Sequence, residues 1–234
     1  MQPKAFTKKL YKILCSLNVD NSARVIGKWD SDLGTIEPDD WDALCSHPSK
    51  VLVSNSAWER QFKILHRLYV TPEDRHRMNP TLSELCIKCK FAVGSLIHCL
   101  WSCHLIQQFW TVVVQQFNVI FKSHLQLSAR TCLLGLEDEL PADFHNRDLL
   151  HILLHCARKC IMALWISDKA PTLNQWKQTV TSIIPFEAYS TALKDKPFLF
   201  YQTWDPFLDY LGATALCRIR SELIDLAWEK DQSP

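Results

Sequence analysis

The sequence predicts a mainly α-helical fold, a helical domain with one inserted cysteine-histidine segment, and three observations carry that prediction. Apolar residues recur at helical spacing in four separate segments. No alternating apolar and polar run of comparable length competes with them. Helix-start chemistry stands at several points along the chain, and nine tryptophans against five glycines favour a packed body over a disordered one.

Taken in order, residues 4–17 form a candidate helix carrying Lys4, Lys8, Lys9 and Lys12. Residues 18–36 read as loop. Pro38 followed by Asp39 and Asp40 has the proline-first, acidic-first-turn form of a helix start, and residues 45–54 read as loop again. Trp58, Phe62, Leu65 and Tyr69 line one side of the first clear helix. Thr71 to Asp74 has capping-box spacing, and Asn79-Pro80 stops the short helix that follows. Asn146 can cap a helix whose Leu149, Leu150, Leu153, Leu154, Ile161, Leu164 and Trp165 nearly encircle it, as expected of a central buried helix. Thr172 caps another, which buries Leu173, Trp176, Val180 and Ile183 and is expected to end before Pro185. Leu216, Ile219, Leu223 and Leu226 make the last stripe. Three segments are expected: 1–57 helical and loop, 58–120 with the basic helix and the cysteine-histidine cluster, and 121–234 helical.

Charge and cysteine usage narrow the functional classes. Lys plus Arg number 26 and Asp plus Glu 25, so the molecule lacks the overall positive field of a protein that coats nucleic acid. Ten cysteines could imply a secreted disulfide framework, but that reading needs a signal peptide and little core. The polar start Met1-Gln-Pro-Lys-Ala-Phe-Thr-Lys-Lys offers no signal sequence, and no apolar run reaches the ~18 residues of a membrane span. An intracellular protein, cytoplasmic or nuclear and without a membrane partner, is expected.

The segment Cys86 to Cys103 reads C-x₂-C-x₈-H-x₄-C. Four such ligands suit tetrahedral zinc, and four protein ligands leave no open position for water, so a structural zinc is the natural reading. Cys86, Cys89, His98 and Cys103 are the candidate ligands. Cys99 is the rival to His98, because on an α-helix His98 and Cys103 stand about 140° apart whereas Cys99 and Cys103 are one turn apart. His98 is preferred if the helix begins after the ligands. His151 and His155 beside Cys156 and Cys160 read as ordinary helix residues without a nearby carboxylate, and Trp101 and Trp110 as core anchors.

Residues 60–90 hold seven basic side chains, Arg60, Lys63, Arg67, Arg75, Arg77, Lys88 and Lys90, against Glu73, Asp74 and Glu84. Arg60, Lys63 and Arg67 share one helix face, opposite the Trp58 stripe, while Phe91 adds a flat ring and His66 and His76 add donors. Phosphate contacts together with stacking on an aromatic ring are a usual means of holding RNA or single-stranded DNA. The bland alternative is a solvated helix face.

Catalytic signatures are missing from the sequence. Its adjacent aspartates, Asp39-Asp40, sit at a helix start and not in a polymerase-type turn. The five glycines build neither a phosphate-cradling loop nor a dinucleotide turn, and no zinc-deaminase or H-E-x-x-H motif is found. No enzyme activity is expected.

Phe62-Lys-Ile-Leu-His-Arg-Leu-Tyr-Val-Thr-Pro72, Arg75-His-Arg-Met-Asn-Pro80, the cluster itself, and Gly94-Ser-Leu-Ile-His-Cys-Leu-Trp-Ser-Cys103 followed by Phe109-Trp110 closely resemble the C-terminal region of reverse transcriptases encoded by LINE-class non-LTR retrotransposons. The likeness continues more loosely through Cys132-Leu-Leu-Gly135, Ala163-Leu-Trp165, Ala170-Pro-Thr-Leu-Asn-Gln-Trp176 and Thr203-Trp204. It implies a zinc knuckle with Cys86, Cys89, His98 and Cys103 as its residues, in a region that helps bind element RNA during target-primed reverse transcription. Retrotransposon ribonucleoprotein is the implied partner. The family's endonuclease and polymerase parts are not in this sequence, so a truncated or detached remnant is expected. The alternative is a protein-interaction or structural remnant in which zinc only completes the fold.

Overall fold

A computed structural model describes residues 22–46, 55–194 and 196–212. It is mainly helical, with only the isolated bridge between Leu85 and Val93 as extended pairing among the described residues. None of the described helices is long and apolar enough to cross a membrane. The expected helices at 4–17 and 216–226, and most of the loop at 45–54, lie outside the described residues.

The chain divides into two compact units, Met1–Trp41 and Asp42–Pro234. In the first, Ser22–Leu33 is a helix (α1) where loop is expected from the sequence. Val25, Trp29 and Leu33 do fall at helical spacing, but Gly27 and the polar residues around them dilute the pattern. The helix ends as the Gly34 N–H meets the Asp30 carbonyl at 2.9 Å, with Gly34 at a φ of 83°. Pro38–Ser46 (α2), which begins at the expected proline, runs across the division between the units.

The second unit contains Asn55–Leu65 (α3), Pro72–Met78 (α4), His104–Phe121 (α5), Arg147–Ala163 (α6), Leu173–Leu193 (α7) and Pro197–Leu211 (α8). Two five-residue π-helical turns, His98–Ser102 and Arg130–Leu134, precede α5 and α6. Each of α5, α6, α7 and α8 packs on the other three, while α3 packs on α6 and on the second π turn. Trp176 of α7 lies fully buried where the four meet. Its indole N–H donates to the Leu153 carbonyl of α6 at 3.1 Å, and its ring stands 5.7 Å from Phe117 of α5 and 6.4 Å from Phe207 of α8. Helix α6 is the expected central helix, with twelve of its residues buried.

Two expectations about these helices are corrected. Helix α7 continues through Pro185, burying Trp176, Val180, Ile184 and Ala188 along one line. Core packing on both sides of the proline outweighs a loss of about 3 kcal/mol expected in a helix interior. Helix α3 stops at Leu65 and buries Ala57, Gln61, Ile64 and Leu65, leaving Trp58 and Phe62 exposed and stacked on each other at 5.4 Å. The buried face is therefore turned from the one that its largest side chains indicate. Tyr69 lies beyond the helix, against Trp165 at 5.4 Å.

Candidate metal centre

The segment ahead of the cluster is set by α4. Thr71 and Asp74 form the expected reciprocal cap: the Asp74 N–H donates to the Thr71 hydroxyl, and the Thr71 N–H donates to the Asp74 carboxylate. Pro72 opens the helix and lies against Gly94, where a Cβ would approach the proline ring to 2.6 Å, so only glycine fits there. Chain pairing between Glu84 and Gly94 at 2.8 Å and between Ala92 and Cys86 at 2.8 Å then closes a tight turn. Lys90, at a φ of 58°, reverses the chain immediately after the second cysteine.

This turn presents Cys86 and Cys89 to the first π turn. The ligand atoms of Cys86, Cys89, His98 and Cys103 all lie within 4.8 Å of one another. The Cys86 and Cys103 sulfurs are 4.0 Å apart, and the Cys89 sulfur is 3.3 Å from His98 Nε2. A tetrahedral zinc with ordinary bond lengths places its ligand atoms roughly 3.5–3.8 Å apart, so the donor set and spacing fit one such ion. The π turn removes the angular difficulty posed by the sequence. The Cys103 N–H donates to the His98 carbonyl at 2.9 Å, a five-residue closure, and α5 begins only at His104. Cys99 is buried but is not among the four residues whose ligand atoms converge, and burial, followed by the neighbouring Cys86, pushes its thiol up.

Burial works against ionising Cys89, but the N–H groups of Phe91 and Ala92, with His98 and Cys86, outweigh it and bring the thiol down to about 6. Burial pushes Cys103 up to about 11, opposed by the N–H groups of Leu105 and Ile106 at the start of α5. Four converging donors could together hold one metal ion, and a site so filled would leave no open position for water.

The basic residues separate into two groups. Arg60 is turned inward, its guanidinium 3.4 Å from His155 Nε2 on α6. Lys88 donates to the carbonyls of Leu164 and Ser167 at 2.7 and 2.8 Å, closing the end of α6. Arg67 is half-buried after α3, at a φ of 55°. Lys63 pairs with Glu59 at 2.6 Å and Arg77 with Asp74 at 3.3 Å, though both remain accessible. Arg75 and Lys90 are exposed, and the Phe91 ring is 86% exposed. His66 stacks near Phe62, and His76 Nδ1 lies 2.6 Å from the Leu82 carbonyl.

His151 and His155 stand apart from the metal cluster, and the expectation of no nearby carboxylate is corrected for one of them. Glu137 reaches His151 Nε2 at 2.7 Å and also pairs with Arg147. The turn at Gly135, with a φ of 90°, folds that loop back onto α6. The hydrogen bond from His151, despite burial, holds the Glu137 carboxyl down at about 2. His155 is pushed down to about 2 by burial and then by Arg158 and Arg60. Trp110 is a core residue, but Trp101 is only half-buried and borders a groove in place of the expected core position. No protein-family model matches the chain.

Proposed function

We propose that the chain is a zinc-stabilised, non-catalytic module that binds RNA or other single-stranded nucleic acid, of the kind its resemblance to the LINE reverse transcriptase C-terminal region implies. The observation that carries this reading is the tip of the metal turn. Lys90 and the largely exposed Phe91 project from the backbone immediately after Cys89. A flat exposed ring beside a cation matches a stacked base and its phosphate. Arg75 and Arg77 on α4, which packs on the same turn through Pro72 and Gly94, extend the cationic surface. Arg60 and Lys88 are engaged inside the protein, so the reading rests on Lys63, Arg75, Arg77, Lys90 and Phe91. Zinc supplies the rigid turn.

Fluorescence anisotropy of a labelled ribo-oligomer tests it. Binding is expected to weaken as salt rises, with a slope of about 0.7 per neutralised phosphate, and to fall on Lys90→Glu, Arg75→Glu or Phe91→Ala. Binding that ignores all three substitutions, or no binding at low salt, contradicts the reading. A protein-interaction role is favoured instead by Phe186, Leu193 and Phe198, which leave apolar surface exposed on α7 and α8. Under that role, Phe186→Lys and Phe198→Lys would abolish association with a partner protein while leaving RNA affinity nil or unchanged.

A further inference from the structure

We infer that the groove along the outer side of α5 is a nucleobase pocket, with the half-buried Trp101 as its stacking platform. The inference rests on the nucleic-acid reading above and gives it a second, base-contacting surface. The groove encloses about 400 Å³ between α5 and residues 125–127. Its α5 wall is one helical ridge, Gln107, Thr111, Val114, Gln115 and Asn118. The facing wall is pinned where the Leu125 N–H donates to Asn118 Oδ1 at 2.8 Å.

Trp101 is part of the groove's lining. It lies inside the π turn that carries His98 and leads directly into Cys103, so a metal held there would brace the backbone from which its indole projects. The neighbouring Trp110 is fixed as floor, its N–H donating to the Leu100 carbonyl at 2.9 Å and its ring 5.8 Å from that of Trp101.

The lining decides the ligand class. None of the residues around the groove is charged, so it holds neither a phosphate nor an ammonium group by ion pairing. It does offer the amides of Gln107, Gln115 and Gln126, all exposed, each with an acceptor and two donors. A purely apolar peptide side chain could not exchange hydrogen bonds with those amides, which would stay paired with water. A nucleobase satisfies both features, since it is flat, uncharged and edged with alternating donors and acceptors. The groove lining itself supplies no cation, so any phosphate contact has to come from side chains outside it.

The test uses the full zinc-loaded chain and four probes: oligouridylate, oligoadenylate, an abasic ribose-phosphate oligomer of equal length, and free adenosine. Stacking on an aromatic is worth about 1–3 kcal/mol, so Trp101→Ala is expected to weaken base-bearing oligomers at least about 5-fold. Trp101→Phe should recover most of that loss, and abasic binding should be the same for the parent and both variants. Gln107→Leu and Gln115→Leu, at exposed positions that leave the fold intact, should weaken adenosine binding read by NMR shifts of the groove residues. Parent-like binding by Trp101→Ala and Gln107→Leu, or equal affinity for abasic and base-bearing oligomers, overturns the pocket. Loss of RNA affinity on Lys90→Glu with none on Trp101→Ala overturns the pocket and leaves the proposed function standing. Adenosine in the groove without any oligomer binding does the reverse.

Discussion

Helix α6 and the segment from Glu84 to Cys103 belong to the same unit of the molecule, yet they differ in how much burial is available to hold them. In α6 the buried residues follow one another almost without a break from Leu149 to Ile161, and their packing on four neighbouring helices holds the element in place. Between Cys86 and Gly94 the only buried residues are Cys86, Cys89 and Gly94. Such a turn has almost no apolar surface to remove from water and needs another source of free energy, which four metal ligands can supply. Cysteine itself differs between the two. Cys132, Cys156 and Cys160 are buried helix-side residues whose thiols burial pushes up, Cys156 to about 12. Cys89 is drawn the other way by backbone N–H groups. The same side chain packs as a small hydrophobe in one region and stands in a candidate ligand set in the other.

The two regions should part most clearly on Cys86→Ser or on treatment with a strong chelator. Amide exchange protection at Cys86, Lys90 and Gly94 should be lost by orders of magnitude, while protection between Leu150 and Ile161 persists. Equal loss in both regions would mean that they unfold as one unit. Trp176→Ala should do the opposite, destabilising the helical core by about 3–5 kcal/mol in denaturant unfolding while zinc content stays unchanged. A loss under ~1 kcal/mol would contradict its central place.

A smaller, pH-dependent effect belongs to the helical core. Burial, partly offset by Lys194, raises the Glu187 carboxyl to about 7. Its folded value exceeds its unfolded one, so its stabilising contribution is complete below about pH 4.5 and is lost as pH rises through about 7. Glu187→Gln should therefore stabilise the protein at pH 8 by up to about 3 kcal/mol and change little at pH 4, read from thermal unfolding at both pH values. The smallest effect concerns the link between the regions. Lys88→Met removes two hydrogen bonds to carbonyls at the end of α6, and a loss of about 1–3 kcal/mol is expected. Denaturant unfolding of the variant measures it, and an unchanged stability would contradict the role of that lysine in joining turn to helix.

Much of this contrast can be read from residue order. Helical periodicity marks α6 and α7, Thr71 with Asp74 marks the cap of α4 and Thr172 that of α7, and the cysteine spacing marks the ligand set. These signals are local, and each depends on residues within a turn or two of one another. What escapes depends on distant partners. The choice between His98 and Cys99 turns on a π closure that α-helical angles do not describe. Lys88 has the sequence setting of a surface cation, yet the end of α6, 76 residues away, takes its ammonium group. Arg60 likewise meets His155, and Gln61 meets the carbonyls of Leu133 and Leu134, so a polar residue joins Ala57, Ile64 and Leu65 on the buried face of α3 in place of Trp58 and Phe62. Pro185 carries a local cost that the sequence makes plain, whereas the packing of Ile184 and Ala188 that outweighs it becomes visible only in the assembled core.

One zinc ion shared by Cys86, Cys89, His98 and Cys103 is the centre of the proposed module. X-ray absorption at the zinc edge of the purified chain measures this shell. One zinc per chain is expected, with three sulfur neighbours near 2.3 Å and one nitrogen near 2.0–2.1 Å, and the nitrogen signal should vanish on His98→Ala. A four-sulfur shell, a shell dominated by oxygen, or a protein that retains no zinc would contradict it.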